Sequence, residues 1–585
     1  MTDFDVDVLP SPTSMSLRSR EWFAPILLSL LVALAVVSPF FWLGNATGHD
    51  FQYHAASWLD AAGQWRQGVL YPRWTEWANY GFGEPRFIFY PPFSWMLGAA
   101  LGLIAPWNRV PVVFIVLVQT FAGVSAFALG RRLLESRAAA LFCAAGYVTN
   151  PYALLIVYWR SDFAELLADA FYPLLFLAAL RVCGLLDDSE RTGERYPHRK
   201  IAVFAAIFAT VWLCNAPAGV IASYSIAALL AFAAWTMKSR EPLVRGAAGL
   251  LLGFGITAGY LLPAAYEQSW VNIAQALSAG LLPAENFLYT QTPDPEHTLF
   301  NWIASTLAVS MIVLAGFAAL ATRPPKYAAD SGHKNRWIGE SNWQVLLLFT
   351  ALATLLMLRL SSPLWAVLPK LRFVQFPWRW MSLLALPFAI YLSSAMTRGR
   401  LRWLWVVVTF ALLAGAAASL VKSAWWDTDD IPVLRQAIAN RQGFDGTDEY
   451  DPLGDDHTNI PTKSPEVQVL DTDTMQGPNK KPTIRVERWK PEQKEVAISA
   501  PQPFYLGMQL LNYPAWRVEL NGAVVTPRGG EDYNMMVVAV PAGESRVVVR
   551  FVRTWDRTVG GMVTLWSLLG VFALWRRRTP SPSFL

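Results

Sequence analysis

An acidic residue follows closely on the first membrane-length apolar run of the chain. The run covers residues 23–43, and Asp50 lies in the loop after it, next to His49. A carboxylate at the mouth of a membrane bundle can act as a general base, bind a cation or hold a polar substrate. Asp50 is therefore the first candidate for a reactive group, and its loop is rich in aromatic residues.

Other ionisable residues fall at the same ends of the apolar runs as Asp50. They come from several separate connections, and the candidates are His54, Arg73, Glu84, Arg86, Arg160, Asp162, Glu165, Glu267, Arg372 and Arg379. A single acid or base at a helix end is commonly only solvated. Ionisable groups near spans are costly, however, and often mark a function. Because so many converge, we expect these side chains to share one pocket at one membrane face.

Apolar runs of membrane length recur along the whole chain. They cover roughly residues 23–43, 110–130, 138–157, 163–182, 201–216, 218–237, 246–265, 300–321, 343–360, 378–396, 403–421 and 559–575. With 54% hydrophobic residues and a mean hydropathy of +0.30, the chain cannot bury its apolar surface in one water-soluble core. We predict about 12 transmembrane helices. The run 92–105 is too short to span and suits a re-entrant or interfacial helix.

The positions of the basic residues predict how these spans are oriented. Arg18 and Arg20 precede the first span, and alternate connections carry further basic clusters such as Arg131/Arg132/Arg137 and Arg576/Arg577/Arg578. Cytoplasmic connections are enriched in Lys and Arg. The pattern predicts two cytoplasmic termini and places the connections that hold the candidate residues outside.

The charge distribution argues against nucleic-acid binding despite a pI near 9.0. Residues 423–555 hold 14 Lys/Arg and 19 Asp/Glu, a net charge of −5. The excess of basic residues therefore lies in short connections between apolar runs, which is typical of a membrane protein.

A soluble, strand-rich domain is predicted over residues 422–558. Short runs of β-branched and aromatic residues occur at 467–470, 483–487, 496–498, 516–520, 536–540 and 546–551. Asn521-Gly522 between two of them indicates a type I′ hairpin. Several short strands separated by turns favour a β-sandwich, whereas residues 440–482 read as a long loop or partly disordered entry.

These observations predict a mainly α, polytopic membrane protein with a β-sandwich domain before its last span. The boundaries are a cytoplasmic N-terminus at 1–22, a transmembrane domain at 23–421 with a first outer loop at 44–109, the β-rich domain at 422–558, the last span at 559–575 and a cytoplasmic tail at 576–585.

Several motifs resemble those of the integral-membrane glycosyltransferases of the GT-C superfamily. The closest resemblance is to membrane proteins labelled "6-pyruvoyl-tetrahydropterin synthase-related" and to the YfhO-like family. The matching stretches are Asp50-Phe51-Gln52-Tyr53-His54, Leu70-Tyr71-Pro72-Arg73-Trp74, Tyr80-Gly81-Phe82-Gly83-Glu84-Pro85, Tyr158-Trp159-Arg160, Ala164-Glu165-Leu166-Leu167-Ala168, Leu262-Pro263-Ala264-Ala265-Tyr266-Glu267, Gln375-Phe376-Pro377-Trp378-Arg379 and Tyr513-Pro514-Ala515-Trp516. Cys214-Asn215 departs from the His-Asn pattern of the relatives. No pterin chemistry is expected, because the six histidines lack the spacing of a zinc site.

The resemblance implies a GT-C-like fold and an inverting transferase that uses a polyprenyl-phosphate-linked sugar at the extracytoplasmic face. The acceptor would be a lipid, a glycan or a protein of the bacterial cell envelope. Asp50 is the expected base. Glu165, Asp162 or Glu267 would orient Asp50. Alternatively, one of these acids, in the first place Glu165, would bind a divalent cation (Mg or Mn) together with Asp50. Arg372 and Arg379, with Arg160 third, would hold the phosphate. His54, Arg73 and Gln375 are further binding candidates, and Trp74, Tyr80 and Phe89 would stack on sugar rings.

Two other functions fit the sequence. A transporter or flippase of a lipid-linked saccharide would bind near the bilayer midplane, where this chain has little charge and no visible repeat. A non-catalytic scaffold could use the outer β-domain to bind a partner. In each case we expect a multi-pass protein of the bacterial cytoplasmic membrane, in contact with lipids and not with nucleic acid.

Overall fold

The computed structural model describes residues 12–134, 136–186, 197–324, 339–397, 400–454, 459–470, 481–530 and 533–576. Within these residues, eleven helices are long and apolar enough to cross a membrane. They are Glu21–Leu43, Trp107–Leu133, Arg137–Arg160, Phe163–Cys183, Ala216–Thr236, Glu241–Trp270, Pro295–Ala321, Glu340–Met357, Pro377–Thr397, Arg402–Ser423 and Trp555–Arg576. The remaining predicted span, 201–216, corresponds to the helix Pro197–Cys214. The predicted polytopic, mainly helical fold is confirmed.

The first outer loop contains helices of its own. Phe51–Arg66 begins directly after Asp50, and Pro92–Ile104 is a 13-residue helix where a short, non-spanning one was expected. The two helices pack so closely that a Cβ atom on Gly98 would collide with the Trp58 ring. Other short helices are Arg86–Phe89, Ser362–Val367 and Asp430–Ala439.

The strands are mainly in the C-terminal half. They are β1 Asn45–Ala46, β2 Trp426–Asp427, β3 Val467–Leu470, β4 Thr483–Lys490, β5 Gln493–Ala500, β6 Phe504–Leu511, β7 Trp516–Leu520, β8 Ala523–Val525, β9 Arg528–Gly529, β10 Met535–Val540 and β11 Gly543–Phe551. Two antiparallel sheets, ordered β3-β6-β10-β9 and β4-β5-β11-β7-β8, share one apolar core. The predicted β-rich domain is confirmed, and the hairpin at Asn521-Gly522 joins β7 to β8 with positive φ at both residues.

The first outer loop and the sandwich are built into one another. β1 pairs with β2 through Asn45 and Asp427. Trp74 and Phe82 of the loop belong to the apolar core of the sandwich, and the Trp74 ring lies 5.4 Å from that of Trp516. The loop therefore couples the membrane helices to the β-domain at one end of the helix bundle.

Candidate functional site

Asp50 is fixed by the docking of its loop on the end of a membrane-length helix. The Asp50 amide donates to the Arg160 carbonyl at 2.8 Å, and the amide of Gly48 donates to the Ser161 hydroxyl at 3.0 Å. A Cβ atom on Gly48 would collide with the Trp159 carbonyl, so only glycine permits this approach. Ser161 has a φ of 52°, which ends the helix and turns the chain toward the next one.

Arg160 joins the carboxylates of Asp50 and Asp162. Its Nη2 atom lies 2.6 Å from Asp50 Oδ2 and 3.2 Å from Asp162 Oδ2. The Asp50 side chain is 35% exposed, whereas those of Arg160 and Asp162 are 3% exposed. Asp50 is thus the member of this trio whose carboxylate reaches open space, and Arg160 holds one of its oxygens.

Arg379 closes the cluster from the other side. Its Nε donates to Glu165 Oε2 at 3.1 Å, and its Nη2 lies 3.4 Å from Asp162 Oδ2. Nη1 donates to the Val374 carbonyl at 3.0 Å and to Gln375 Oε1 at 3.3 Å. Each of the three guanidinium nitrogens therefore has a protein partner.

Glu165 is held by neutral groups as well as by Arg379. The Tyr152 hydroxyl donates to its Oε1, and the Ser382 hydroxyl lies 3.4 Å from the same atom. Ser382 also lies 3.0 Å from Asp169 Oδ2, one helical turn further along. Glu165 is 1% exposed, so this buried polar chain supports the site from beneath and does not face a ligand.

A strained turn places Gln375 beside Arg379. Gln375 has φ 64° and ψ −58°, and the Phe376 amide donates to the Val374 carbonyl at 2.7 Å. These values describe a γ-turn with positive φ, a rare conformation for a residue with a side chain. Backbone strain of this kind is concentrated at functional sites. The Gln375 side chain donates from Nε2 to the Ala276 carbonyl at 2.8 Å.

Two aromatic rings lie under the arginines. Phe376 and Trp378 stack with centroids 4.8 Å apart, and the Arg160 guanidinium lies 5.2 and 5.0 Å from the two rings. The Arg379 guanidinium lies 4.9 Å from Phe376. These cation–π contacts add to the ion pairs in fixing the planes of both guanidinium groups.

Histidines adjoin the acids on both sides. His54 is buried, with Nε2 3.6 Å from Asp162 Oδ1. Burial raises the pKa of Asp162, but the His54 ring and the charges of Arg160 and Arg379 outweigh it, so this pKa lies below its usual range. Burial and then the Arg160 charge lower the pKa of His49, which is therefore neutral at pH 7.

Two cavities meet at Asp50. The lateral cavity, of about 720 Å³, is lined by Trp159, Phe300 and Ile303 and by Ser419 of the membrane-length helix Arg402–Ser423. The aromatic cavity, of about 410 Å³, is lined by Tyr53, Phe89, Tyr90, Phe373, Gln375 and Tyr450. Asp50, Arg160, Leu281 and Phe376 line both cavities.

The structure brings together most of the candidates from the sequence: Asp50, His54, Arg160, Asp162, Glu165, Gln375 and Arg379. Glu267 is placed in a different cluster. Its two oxygens accept from Arg557 at 2.7 and 2.6 Å and one also accepts from the Tyr513 hydroxyl. Glu267 is 0% exposed, so it joins the helix Glu241–Trp270 to the sandwich and the last long helix.

Four binding candidates also lie away from the two cavities. The Arg73 guanidinium stacks 4.1 Å above the Tyr71 ring, and Trp74 is 2% exposed inside the sandwich core. The Tyr80 carbonyl accepts from Gln509 of the sandwich at 3.0 Å. The exposed Arg372 lies over Phe373, 5.3 Å away. Trp74 cannot stack on a sugar, because its faces are covered by protein; of the three proposed stacking residues only Phe89 lines a cavity.

A divalent cation shared by Asp50 and Glu165 does not fit this geometry. Both Glu165 oxygens are engaged by Arg379, Tyr152 and Ser382, and one Asp50 oxygen is paired with Arg160. Across the ranges that the structure describes, no group of three or more His, Cys, Asp or Glu residues could hold a metal ion.

Several residues of the site were not among the sequence candidates. Tyr152 and Ser382 support Glu165, and Tyr53, Tyr90 and Tyr450 line the aromatic cavity. Only Tyr53 and Tyr90 carried a signal, since Tyr53 lies within the Asp50–His54 motif and Tyr90 lies in the aromatic-rich first outer loop. Tyr450 lies in a stretch that the sequence assigned to a long loop, and nothing local indicates its position.

Comparisons with known proteins give fold-level likeness only. No protein-family model matches the chain, and no curated protein matches it in sequence. The structure is similar to arabinofuranosyltransferase AftD from Mycobacteria, with 16% identity and a TM-score of 0.42 over 72% of this chain and 29% of that one. It is similar to the archaeal oligosaccharyltransferase AglB from Archaeoglobus fulgidus, in complex with an inhibitory peptide and a dolichol-phosphate (15%, 0.35, 73% and 56%).

A third similar structure is ArnT from Cupriavidus metallidurans bound to undecaprenyl phosphate, with 12% identity and a TM-score of 0.29 over 83% of this chain and 98% of that one. The chain spans less than two thirds of the AftD and AglB chains. The fold and site define a multi-pass membrane protein with an acidic, arginine-rich centre beneath a β-sandwich.

Proposed function

We propose that this protein is an inverting GT-C-type glycosyltransferase that uses a polyprenyl-phosphate-linked sugar at the extracytoplasmic face of the membrane. The acceptor is a lipid, a glycan or a protein. One observation carries the proposal: Asp50, a partly exposed carboxylate, lines two cavities at once. A transferase needs such a meeting point, because the acceptor hydroxyl must reach the base while the anomeric carbon of the donor is held beside that hydroxyl.

The lateral cavity suits the donor. Ile303 and Ser419 come from two membrane-length helices, Pro295–Ala321 and Arg402–Ser423, so this cavity adjoins the apolar part of the bundle. An isoprenoid chain can remain in lipid there while its phosphate reaches Arg160. Arg160 lines this cavity. Its Nη2 atom is committed to Asp50 and Asp162, and the other donors of the guanidinium have no hydrogen-bond partner among the described residues, so they can serve a phosphate oxygen.

The reaction is a single displacement at the anomeric carbon. The acceptor hydroxyl oxygen forms the new bond to that carbon while the bond from carbon to phosphate oxygen breaks. Asp50 takes the hydroxyl proton, and the polyprenyl phosphate leaves with both electrons of the broken bond. Asp162 and Glu165 are buried and paired with arginines, so neither is free to act as a second, covalent nucleophile; one displacement inverts the configuration.

Arg379 has a positioning role in this scheme. Its three nitrogens are engaged by Asp162, Glu165 and the turn at Gln375. It keeps the carboxylates separated and oriented, and Asp162 in turn holds Arg160. The resemblance implied that Arg379 contacts the phosphate. We assign it a positioning role because few hydrogen-bond donors of its guanidinium remain for a ligand.

The test is transfer by purified full-length protein supplied with a panel of polyprenyl-phosphate sugars. Asp50→Asn keeps the shape and the contact with Arg160 but cannot accept a proton, so transfer should fall by about 10²- to 10⁴-fold. Asp429→Asn, an exposed aspartate of the β-domain, is the matched control and should behave as the parent. Equal transfer by Asp50→Asn and the parent would reject Asp50 as the base.

A further inference from the structure

One wall of the aromatic cavity is contributed by the segment Thr447–Tyr450, which precedes the strands of the sandwich. Thr447, Glu449 and Tyr450 all line this cavity, as Asp50 and Arg379 do. A segment from far along the chain therefore closes the cavity beside Asp50. It is held by the first outer loop, and 363 positions separate Thr447 from its partner Glu84.

The segment is firmly held on both sides. The Thr447 amide donates to Glu84 Oε2 at 2.8 Å, and Arg86 donates to the Thr447 hydroxyl at 2.9 Å. Just beyond the segment, the Asn79 side chain donates from Nδ2 to Asp451 Oδ1 at 2.6 Å. The wall is thus a built surface, fixed by charged and polar groups of the first outer loop.

The exposed faces of this cavity have the chemistry of a saccharide site. Tyr450 stacks on Phe89 with centroids 5.6 Å apart and planes 8° apart, and Tyr53 and Tyr90 lie 4.9 Å apart on the neighbouring wall. Flat rings pack against the apolar faces of a sugar. The Tyr53 hydroxyl is buried and has no hydrogen-bond partner within the described part of the chain, so it is available to a ligand hydroxyl.

Glu449 adds a carboxyl group to the same wall. Burial and the neighbouring Glu84 raise its pKa to about 7, although its own backbone hydrogen bond opposes the shift. Near neutral pH this group can both donate and accept hydrogen bonds, as sugar hydroxyls do. Lys370 also lines the cavity.

We propose that the aromatic cavity binds a saccharide ring of the acceptor, and that Glu449 and Tyr450 determine which saccharide it accepts. The acceptor is accordingly a glycan or a glycolipid headgroup. This inference rests on the proposed function, since it assigns the second substrate to the cavity that the donor does not occupy. The assignment follows from the linings of the cavities. The lateral one extends to Ile303 and Ser419 within two membrane-length helices, whereas the aromatic one is walled by the ends of such helices, at Ala216 and Ala264, and by the segment Thr447–Tyr450.

The test is direct binding without donor. The probes are the methyl glycosides of glucose, galactose, mannose and arabinose, offered to full-length protein in nanodiscs and detected by saturation-transfer NMR. At least one should bind the parent, and Tyr450→Ala should weaken that binding by at least about fivefold through loss of ring stacking. Tyr450→Phe should retain it, and Glu449→Gln should change which glycoside binds best.

The controls are Tyr505→Ala, a partly exposed tyrosine on the sandwich, and Asp448→Asn, next to Glu449 but outside the cavity lining. Both should bind as the parent does. The inference is overturned when no glycoside binds the parent, or when Tyr450→Ala and Glu449→Gln leave binding and preference unchanged. Selective glycoside binding combined with no sugar transfer from any lipid-linked donor would instead contradict the proposed function and leave this site standing.

Discussion

The carboxylate of Asp50 and the guanidinium of Arg160 lie 2.6 Å apart, although 110 positions separate them in the chain. The pair joins the first outer loop to the end of the helix Arg137–Arg160. Arg160 is buried and Asp50 is partly exposed, so the arginine fixes the direction of the carboxylate from inside the protein. One Asp50 oxygen is thereby committed, and the other is left for a substrate proton.

The first prediction concerns this orientation. In Arg160→Lys, one ammonium group replaces a planar fork that contacts Asp50 and Asp162 and stacks near Trp378. Misplacement of the base by about 1 Å costs on the order of 10²-fold in rate, so kcat for transfer should fall by about 10- to 100-fold. Steady-state kinetics with a lipid-linked sugar measures it.

Arg372→Lys is the matched control for that substitution, since this exposed arginine lies outside both cavities. It should keep the kcat of the parent. Unchanged kcat in Arg160→Lys would show that Asp50 is oriented by its backbone alone, through the amide bond to the Arg160 carbonyl.

The second prediction concerns Arg379, which is tied to two buried acids. In Arg379→Met, Glu165 and Asp162 lose a counter-charge while remaining out of water. Removing one partner of a buried ion pair typically costs about 3–5 kcal/mol, so the melting temperature should fall sharply. Glu165→Gln added to Arg379→Met should restore part of the loss, because the uncompensated charge is removed.

Thermal unfolding of the detergent-purified proteins gives the melting temperatures of the single and the double variant. A melting temperature equal to that of the parent, together with a raised KM for the donor, would instead assign Arg379 to the phosphate. That result would contradict the positioning role.

The helices and most strands of this fold were predictable from the sequence, because hydropathy and alternation act locally. The strand β6 was missed, since Phe504–Leu511 is buried at seven of its eight positions and shows no alternation. Gly507 and the adjacent apolar residues read equally well as part of a buried connection. In the four-stranded sheet, β6 lies between β3 and β10. Once β6 is known, the strand order around it follows.

The membership of the site was only partly predictable. The motifs around Asp50, Arg160, Glu165 and Arg379 contain residues that do meet. Trp74 shows why the rest could not be foreseen: the sequence places it in an outer loop, but its side chain is covered by the sandwich, more than 400 residues later. A sequence gives the segment on which a residue lies, whereas the direction of its side chain depends on distant packing.

The third prediction separates Glu267 from the chemistry. Its carboxylate is bonded by Arg557 and Tyr513, so Glu267→Gln should loosen the joint between the sandwich and the long helices. We expect a lower melting temperature and faster proteolysis of the β-domain, because a buried arginine is left without its counter-charge. At a temperature where the variant is folded, the kcat of transfer should stay within about twofold of the parent, a factor worth ~0.4 kcal/mol.

Limited proteolysis and melting curves in parallel with kinetics distinguish these effects. Glu544→Gln, which alters an exposed glutamate of β11, serves as the control for both assays. A loss of kcat by two orders of magnitude in a stably folded Glu267→Gln protein would return this residue to the list of catalytic groups.

The fourth prediction is a pH dependence of stability that arises at Asp60. This residue lies on the helix Phe51–Arg66, is 1% exposed, and accepts from Gln64 at 2.6 Å and from the Trp77 amide at 2.8 Å. Burial and then the charge of Glu76 raise its pKa to about 7, against the effect of these hydrogen bonds. The folded state therefore prefers the protonated acid.

The sign of the effect follows from the direction of that shift. An acid whose folded pKa is raised contributes stability that is complete below its unfolded pKa of about 3.8 and is lost as pH rises toward about 7. The melting temperature should therefore decline between pH 4 and pH 7, and the decline should be shallower in Asp60→Asn, which does not titrate. Lys494, whose pKa burial lowers to about 8, acts mainly above this window and leaves the comparison intact. Identical slopes in the parent and Asp60→Asn would show that Asp60 is ionised in the folded protein at neutral pH, with the cost of its burial met by Gln64 and Trp77.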